Sequence, residues 1–318
     1  MTFRVATSLL KYQAWLTDSV DKQLSTWAPT AAADRVEEAQ RELTERTTSD
    51  SSSRGYADAC PVAGVEHEKY RLRDIELPCG ASLIAGIHFL GTRVQEPFVG
   101  VFAQSQWLEE EALRAAHLQL MEEFKAFTPK SSWWWTCSER DLGCIEQQEV
   151  DQHLVAGSLA EIRTHERLEL PPEWDFRQLQ SVDEIARPFE ELYMDFHRAR
   201  PDLESHVQIA ALENLQECAD AGGLFCCFEG SDLAGLVAAQ PQMAFGVNAW
   251  TVWEIVLARP HCGRGLAAPF QRAALDCLDM DKASIVIGTI HAKNLPSLKT
   301  ALRVGRRIVG RWTFLGQR

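Results

Sequence analysis

Chemistry-bearing residues concentrate in the stretch Val252–Leu275, VWEIVLARPHCGRGLAAPFQRAAL. An apolar strand pattern runs through Val256 and Leu257 into a loop, and Gly263, Gly265 and the small Ala267 open a helical pattern. Glycine lets backbone approach a ligand closely, and the unbonded N–H groups and dipole of a helix N-terminus favour an anion such as a pyrophosphate. A plain strand-to-helix turn uses the same residues, and neither G-x-G-x-x-G nor G-x-x-x-x-G-K-[ST] specifies a dinucleotide or a nucleoside triphosphate. Glu254 is the only charged residue of the strand. It is either a buried carboxyl with a raised pKa, or one that is solvated or paired with arginine. Cys262 is either a thiol activated at a helix N-terminus or a small loop residue. Downstream, a strand pattern over Ser284–Ile290 ends at His291, and Asn294 and Ser297 open another amphipathic helix before Gly305. Asn294 is a natural cap for that helix, and a single histidine at a strand end is more often structural than a proton carrier.

Positioning these residues requires the alternating elements of the second half. The patterns predict a strand at Phe176–Leu179, helices over Val182–Arg198 and Glu204–Ala221, and strands Leu224–Glu229 and Leu233–Gln240 hinged at Gly230-Ser231-Asp232. They continue with strand Ala249–Leu257, helix Gly265–Leu278, strand Ser284–Ile290, helix Leu295–Val304 and a last strand at Ile308–Leu315. Residues 70–165 predict strands Ser82–Leu90 and Pro97–Gln104, a helix over Trp107–Phe127 and a strand over His153–Arg163. Glu109, Glu110 and Glu111 favour that helix's first turn and Pro129 stops it. The run Trp133-Trp134-Trp135 reads as a buried strand at a domain interface more readily than as a ligand platform. Residues 1–60 read as an appendage: helices over Val5–Trp27 and Ala31–Arg46, then a flexible linker, Thr47–Ala59, whose Ser/Asp/Gly composition buries little. Pro171-Pro172 marks a boundary, so domains are expected at 61–168 and 169–318.

The chain has 318 residues, enough for two domains, and a formal net charge of −13. Its longest apolar runs, Leu83–Gly91 and Trp250–Ala258, are strand-sized, which excludes a spanning helix. The N-terminus lacks the apolar core of a secretory signal, so the expected compartment is the cytoplasm. Nine cysteines without a CxxC pair fit neither a disulfide framework nor a zinc site, so reduced thiols and no metal are expected. A negative total argues against nucleic acid, aminoacyl-tRNA included, and against an anionic membrane. The charge is uneven, however. Residues 282–318 hold eight Lys and Arg and no Asp or Glu, which leaves a net −21 on residues 1–281 once this +8 is removed from the total of −13. One basic end on an acidic protein suggests a local anion site.

The loop and the later segment, in this order and spacing, resemble the GNAT acyltransferase superfamily over residues 175–318. The matching residues are Cys262, Gly263, Arg264, Gly265, Leu266 and Ala267, then Asn294, Ser297 and Gly305. The resemblance implies an α+β fold, a mostly antiparallel twisted sheet flanked by helices. The N-terminal half is then either a degenerate GNAT repeat or a separate α+β accessory domain. The implied co-substrate is acetyl-CoA or another acyl-CoA, held by the loop and by Asn294 and Ser297. The implied reaction is direct attack of an amine on the thioester, the pantetheine lying where strand four parts from strand five and a backbone N–H near Val256 or Leu257 polarising the carbonyl. Glu254 is then the first candidate base and His291 the second. The sequence departs from the family pattern at Cys262, where Gln or Arg is usual, at Ala301, where a tyrosine often protonates the leaving thiolate, and at Gly305-Arg306, usually Gly-Phe. The expected function is N-acyl transfer to a primary amine of a small or amino-acid-like acceptor by a monomer or homodimer. The alternative is a catalytically weakened CoA-binding regulatory protein.

Overall fold

A computed structural model of the chain describes residues 10–90, 93–140, 142, 147–165 and 168–316. The start of the first expected helix at Val5, the Gly91 turn, Cys144 and Arg318 lie outside the described residues. Two compact units are present: the described parts of Met1–Gln152 and Gly310–Arg318 form one, and His153–Val309 the other.

In the first unit the expected Val5–Trp27 helix is two pieces where it is described, α1 (Gln13–Asp18) and α2 (Lys22–Trp27). The Asp21 carboxylate divides them, accepting from the N–H groups of Gln23 (2.7 Å) and Leu24 (3.4 Å) as an N-cap. The stretch Thr47–Ala59 is helical, not a flexible linker: α3 (Ala31–Thr48) is followed directly by α4 (Asp50–Ala59). Capping overrides composition there. The Ser49 hydroxyl accepts from Ser52 N–H (3.1 Å), Arg54 pairs with Asp50 one turn away (3.0 Å), and Tyr56 packs against the core.

Strands β1 (Arg73–Glu76), β2 (Ser82–Leu90) and β3 (Arg93–Gln104) pair antiparallel; helix α5 (Glu110–Glu123) then leads to β4 (Ser131–Cys137), parallel to β3. Gly310–Gly316 of the last strand (Arg307–Gly316, β11) pairs antiparallel with β4. Trp134 is fully buried in the core, and Trp133 stacks on Trp312 with centroids 5.3 Å apart.

The second unit takes the end of β5 (Gln148–Ser158), followed by α6 (Leu159–Thr164). The strand expected through Arg163 therefore stops at Ser158, whose hydroxyl caps the helix. Next come β6 (Trp174–Gln178), α7 (Ala186–Ala199), α8 (Leu212–Asp220), β7 (Leu224–Glu229), β8 (Asp232–Ala244) and β9 (Val247–Leu257). The unit closes with α9 (Ala267–Cys277), β10 (Ile285–His291) and α10 (Leu295–Arg303). Its sheet order is β5-β10-β9-β8-β7-β6, with β6 to β9 antiparallel and β9/β10 parallel. Helices cover both faces: Phe270, Ala274 and Leu275 of α9 pack with Trp250 on one, and Phe189 and Tyr193 of α7 with Leu215 of α8 and Val256 on the other. The helix expected over Glu204–Ala221 begins at Leu212, leaving 204–211 mostly as a loop, tied down by Val207 O accepting from the His197 ring at 2.9 Å.

Both units thus contain a strand, a helix and a parallel strand, β3-α5-β4 and β9-α9-β10. They differ at the junction. Glu109, Glu110 and Glu111 stand at the N-terminus of α5 and place negative charge where an anion would have to bind, whereas α9 has no acidic residue in its first turn. No described helix is long and apolar enough to cross a membrane. No described cysteine forms a disulfide; five are buried and Cys79, Cys262 and Cys277 are exposed.

Candidate active site

Strands β9 and β10 run side by side only at Ala249–Ile285, Trp250–Val286 and Thr251–Ile287. Both continue, β9 to Leu257 and β10 to His291. The cause lies in β9, whose register to β8 slips between Ala239–Val252 and Ala238–Glu254, leaving Trp253 as an extra residue. A bulge of this kind bends and twists its strand, and here it turns β9 away from β10. The result is a fork with its root at Thr251 and Ile287.

The bulge also decides which backbone donors face the fork. Ala258 N–H donates to Ala234 O in β8 (2.9 Å), and the two-residue alternation of a strand sends Val256 N–H the same way. Leu257 and Ile255 point theirs towards β10. Val256 N–H is thus turned to β8, and the N–H groups on the side of the fork are those of Leu257 and Ile255.

Beyond Leu257, the segment Arg259–His261 makes a turn of 3-10 helix, and Gly263 (φ 73°) and Gly265 (φ 79°) both adopt the left-handed conformation that favours glycine. The main chain enters α9 at Leu266, Ala267 and Ala268 with no side chain capping its first N–H groups, so these donors remain available. Arg264 is exposed in the loop, and Arg303 of α10 lies alongside, its Nη1 3.5 Å from where a Cβ on Gly265 would stand. The Cys262 thiol is directed at Leu257 O (3.7 Å) and Ala258 O (3.6 Å), and burial raises its pKa. It is a neutral loop thiol and not an activated one.

Asn294 caps α10, its side-chain oxygen accepting from Ser297 N–H at 3.4 Å. Ser297 is half-buried in the first turn. His291, at the end of β10, is buried; its Nδ1 accepts from Lys293 N–H (3.3 Å) and its ring stacks on His206 at 4.2 Å.

Glu254 is 4% exposed. It projects from the face of β9 that carries Val256, where the Tyr193 hydroxyl donates to one carboxylate oxygen and Ala210 N–H to the other (2.7 Å). Burial pushes its pKa up to about 8, with the Ala210 N–H opposing. The loop 204–211 therefore touches both candidate bases, through Ala210 to Glu254 and through His206 to His291. Nothing in the sequence singled out Tyr193 or Ala210, because neither belongs to a motif. Ala301, where the family often has tyrosine, is 1% exposed, so α10 presents no phenol there.

The architecture is matched by a crystal structure of a GCN5-related N-acetyltransferase from Sphaerobacter thermophilus, with TM-score 0.51 and 16% identity over 79% of this chain and 81% of that one. The chain has the GNAT fold. Also similar are a tandem GNAT protein from the clavulanic acid biosynthesis pathway (TM-score 0.43, 12% identity, 84% of this chain and 95% of that one) and a GCN5-related N-acetyltransferase from Kribbella flavida (TM-score 0.45, 13% identity, 77% and 89%). No family model and no curated protein matches the sequence. In the GNAT fold of this chain, β9 and β10 are the parting strands and Cys262–Ala267 the loop that follows the first of them.

Proposed function

We propose that the chain is an acyl-CoA-dependent N-acyltransferase that modifies the primary amine of a small or amino-acid-like molecule, acetyl-CoA being the simplest donor. The second unit, His153–Val309, which takes in most of the expected 169–318 domain, acts as the acyl-CoA-binding part, and the first unit, which holds most of 61–168, as the accessory one. The observation that carries this reading is Glu254, a buried carboxyl held near pKa 8 on the strand that borders the fork.

The residues present fit the co-substrate. Uncapped N–H groups at Leu266–Ala268, the open backbone at Gly263 and Gly265, and the charges of Arg264 and Arg303 suit a pyrophosphate. At the root of the fork two buried polar atoms, Thr251 Oγ1 and Arg306 Nε, have no hydrogen-bond partner among the described residues. Acyl-CoA supplies a thioester, an acyl group activated towards amines. Leu257 or Ile255 N–H stabilises negative charge developing on the carbonyl oxygen. Glu254, once ionised, takes the amine proton as the C–N bond forms and the C–S bond breaks; coenzyme A leaves as the thiolate and takes a proton from water, and Glu254 returns its own proton to solvent. His291 is the second candidate for that proton, and Asn294 and Ser297 hold the start of α10 against the co-substrate. A cytoplasmic setting fits a cysteine pattern without a disulfide framework.

Incubation with acetyl-CoA and a panel of amines, following release of free thiol, tests the reading. Turnover that is lost in Glu254→Gln supports it. Ala301 and Cys262 favour a second reading, a CoA-binding protein that has lost catalysis, which requires coenzyme A binding with no thiol release across the panel. Failure to bind coenzyme A sinks both.

A further inference from the structure

Arg306 opens the chain segment after α10, and its side chain turns into the second unit. It is 2% exposed, yet no carboxylate pairs with it among the described residues. Its Nη2 donates to Val155 O (3.1 Å), and its Nε is buried without a partner. A guanidinium carries five N–H donors and a charge that is not readily neutralised, so burying it without a counter-ion destabilises the fold. Burial alone pushes its pKa down to about 9.

The position of the group gives that cost a purpose. Nη2 stands 3.0 Å from where a Cβ on Gly288 would be, and the Val252 Cβ lies 3.4 Å from the same point. Gly288 and Val252 are the first residues past the last β9/β10 pair, Thr251–Ile287. The guanidinium therefore lies at the root of the fork, and it fits because residue 288 has no side chain. The pyrophosphate loop, by contrast, follows Leu257 at the far end of β9, five residues or about 17 Å along an extended strand from Val252. A linear molecule anchored at the loop and lying in the fork points its free end at the root. The amine comes from elsewhere, since Glu254 projects to the α7 and α8 face, whereas Val252 packs with the α9 face.

We propose that Arg306 receives a carboxylate at the free end of the acyl group, so that the preferred donor is a dicarboxylic acyl-CoA of the malonyl or succinyl class. This rests on the acyl-CoA reading. A planar guanidinium and a carboxylate match in bidentate geometry, and an anion bound there supplies the counter-charge that the fold lacks. An uncharged acyl tail of equal length leaves the arginine buried and unpaired.

Calorimetric titration of the full chain with succinyl-CoA, butyryl-CoA and coenzyme A tests the inference. Wild type is expected to bind succinyl-CoA about tenfold or more tighter than butyryl-CoA. Arg306→Met equalises or inverts the two and leaves coenzyme A itself unchanged. Thermal unfolding of Arg306→Met is expected at an equal or higher temperature, because an unpaired buried charge is gone; should that variant fail to fold, Arg306→Lys keeps the charge without the fork and is expected to show a reduced preference. Equal binding of the two thioesters by wild type, or a preference that survives in Arg306→Met and is undiminished in Arg306→Lys, overturns the inference while the acyl-CoA reading stands on coenzyme A binding. If Arg306→Met weakens binding of free glutamate but not the succinyl preference, the carboxylate belongs to the acceptor and the inference falls. Absence of coenzyme A binding overturns both.

Discussion

The Tyr193 hydroxyl donates a hydrogen bond to the Glu254 carboxyl, joining helix α7 to strand β9 across 61 residues of sequence. With Ala210 N–H on the other oxygen, the carboxyl has both a donor for its charged form and a dry setting that opposes it. Desolvation wins, so at neutral pH the group is mostly protonated and gains base character only as pH rises.

Turnover in the thiol-release assay is therefore expected to rise with pH about a midpoint near 8, the value to which burial lifts Glu254. Glu254→Gln abolishes that limb. Tyr193→Phe removes a donor to the carboxylate, so the midpoint is expected to move up. A pH–rate profile that is flat from neutral to alkaline, identical in the three proteins, would remove Glu254 from the mechanism.

Stability carries the same signature. The folded pKa lies above the unfolded one, so between the ordinary carboxylate value and about 8 the native state holds a proton that the unfolded chain has lost. Glu254's contribution is full below that window and declines as pH rises through it, by ~1.4 kcal/mol for each unit of pKa difference at most. Chemical denaturation at several pH values is expected to show this decline in wild type and a flatter curve in Glu254→Gln.

Glycines at the site separate conformational strain from crowding. Gly263 has nothing within 4 Å of a would-be Cβ but sits at φ 73°, so Gly263→Ala is expected to cost about 1 kcal/mol through the backbone and to weaken coenzyme A binding as the loop shifts. At Gly223 a Cβ would stand 2.0 Å from Ala239 O, and Gly223→Ala is expected to lower the melting temperature far more without a selective effect on binding. Equal losses in both variants would contradict the assignment.

Asn294→Ala removes the cap of α10. A loss of about 1 kcal/mol in unfolding free energy is expected, with Asn294→Asp restoring most of it. Coenzyme A affinity that falls tenfold or more in Asn294→Ala but recovers in the aspartate variant would make the asparagine a holder of helix position; affinity lost in both would make its amide a direct contact (tenfold is about 1.4 kcal/mol).

Much of the second unit is legible in the sequence because its strands are short, apolar and separated by clear turns. Leu224–Glu229 coincides with β7, and Gly230-Ser231-Asp232 marks the turn into β8. The first 60 residues are harder: Ser49, Asp50 and Asp21 act through specific caps and ion pairs, which composition averages away. At the site, the glycine loop, Asn294 and Glu254 stand out by type and spacing. Tyr193, Ala210 and the role of Arg306 do not, since each depends on a partner far away in the chain.

Local physics let the sequence determine by itself the loop that opens α9, the cap of α10 and the isolation of one carboxylate in an apolar strand. Those features follow from glycine's freedom at positive φ, the hydrogen-bonding reach of asparagine and the two-residue period of a strand. Only the tertiary structure decided where β9 parts from β10, which N–H groups face the fork, that Glu254 is dry and that Arg306 is buried without a counter-ion. Each of these depends on a register, a bulge or a burial that exists only once residues distant in sequence have packed together, and their energies are set by that shared environment.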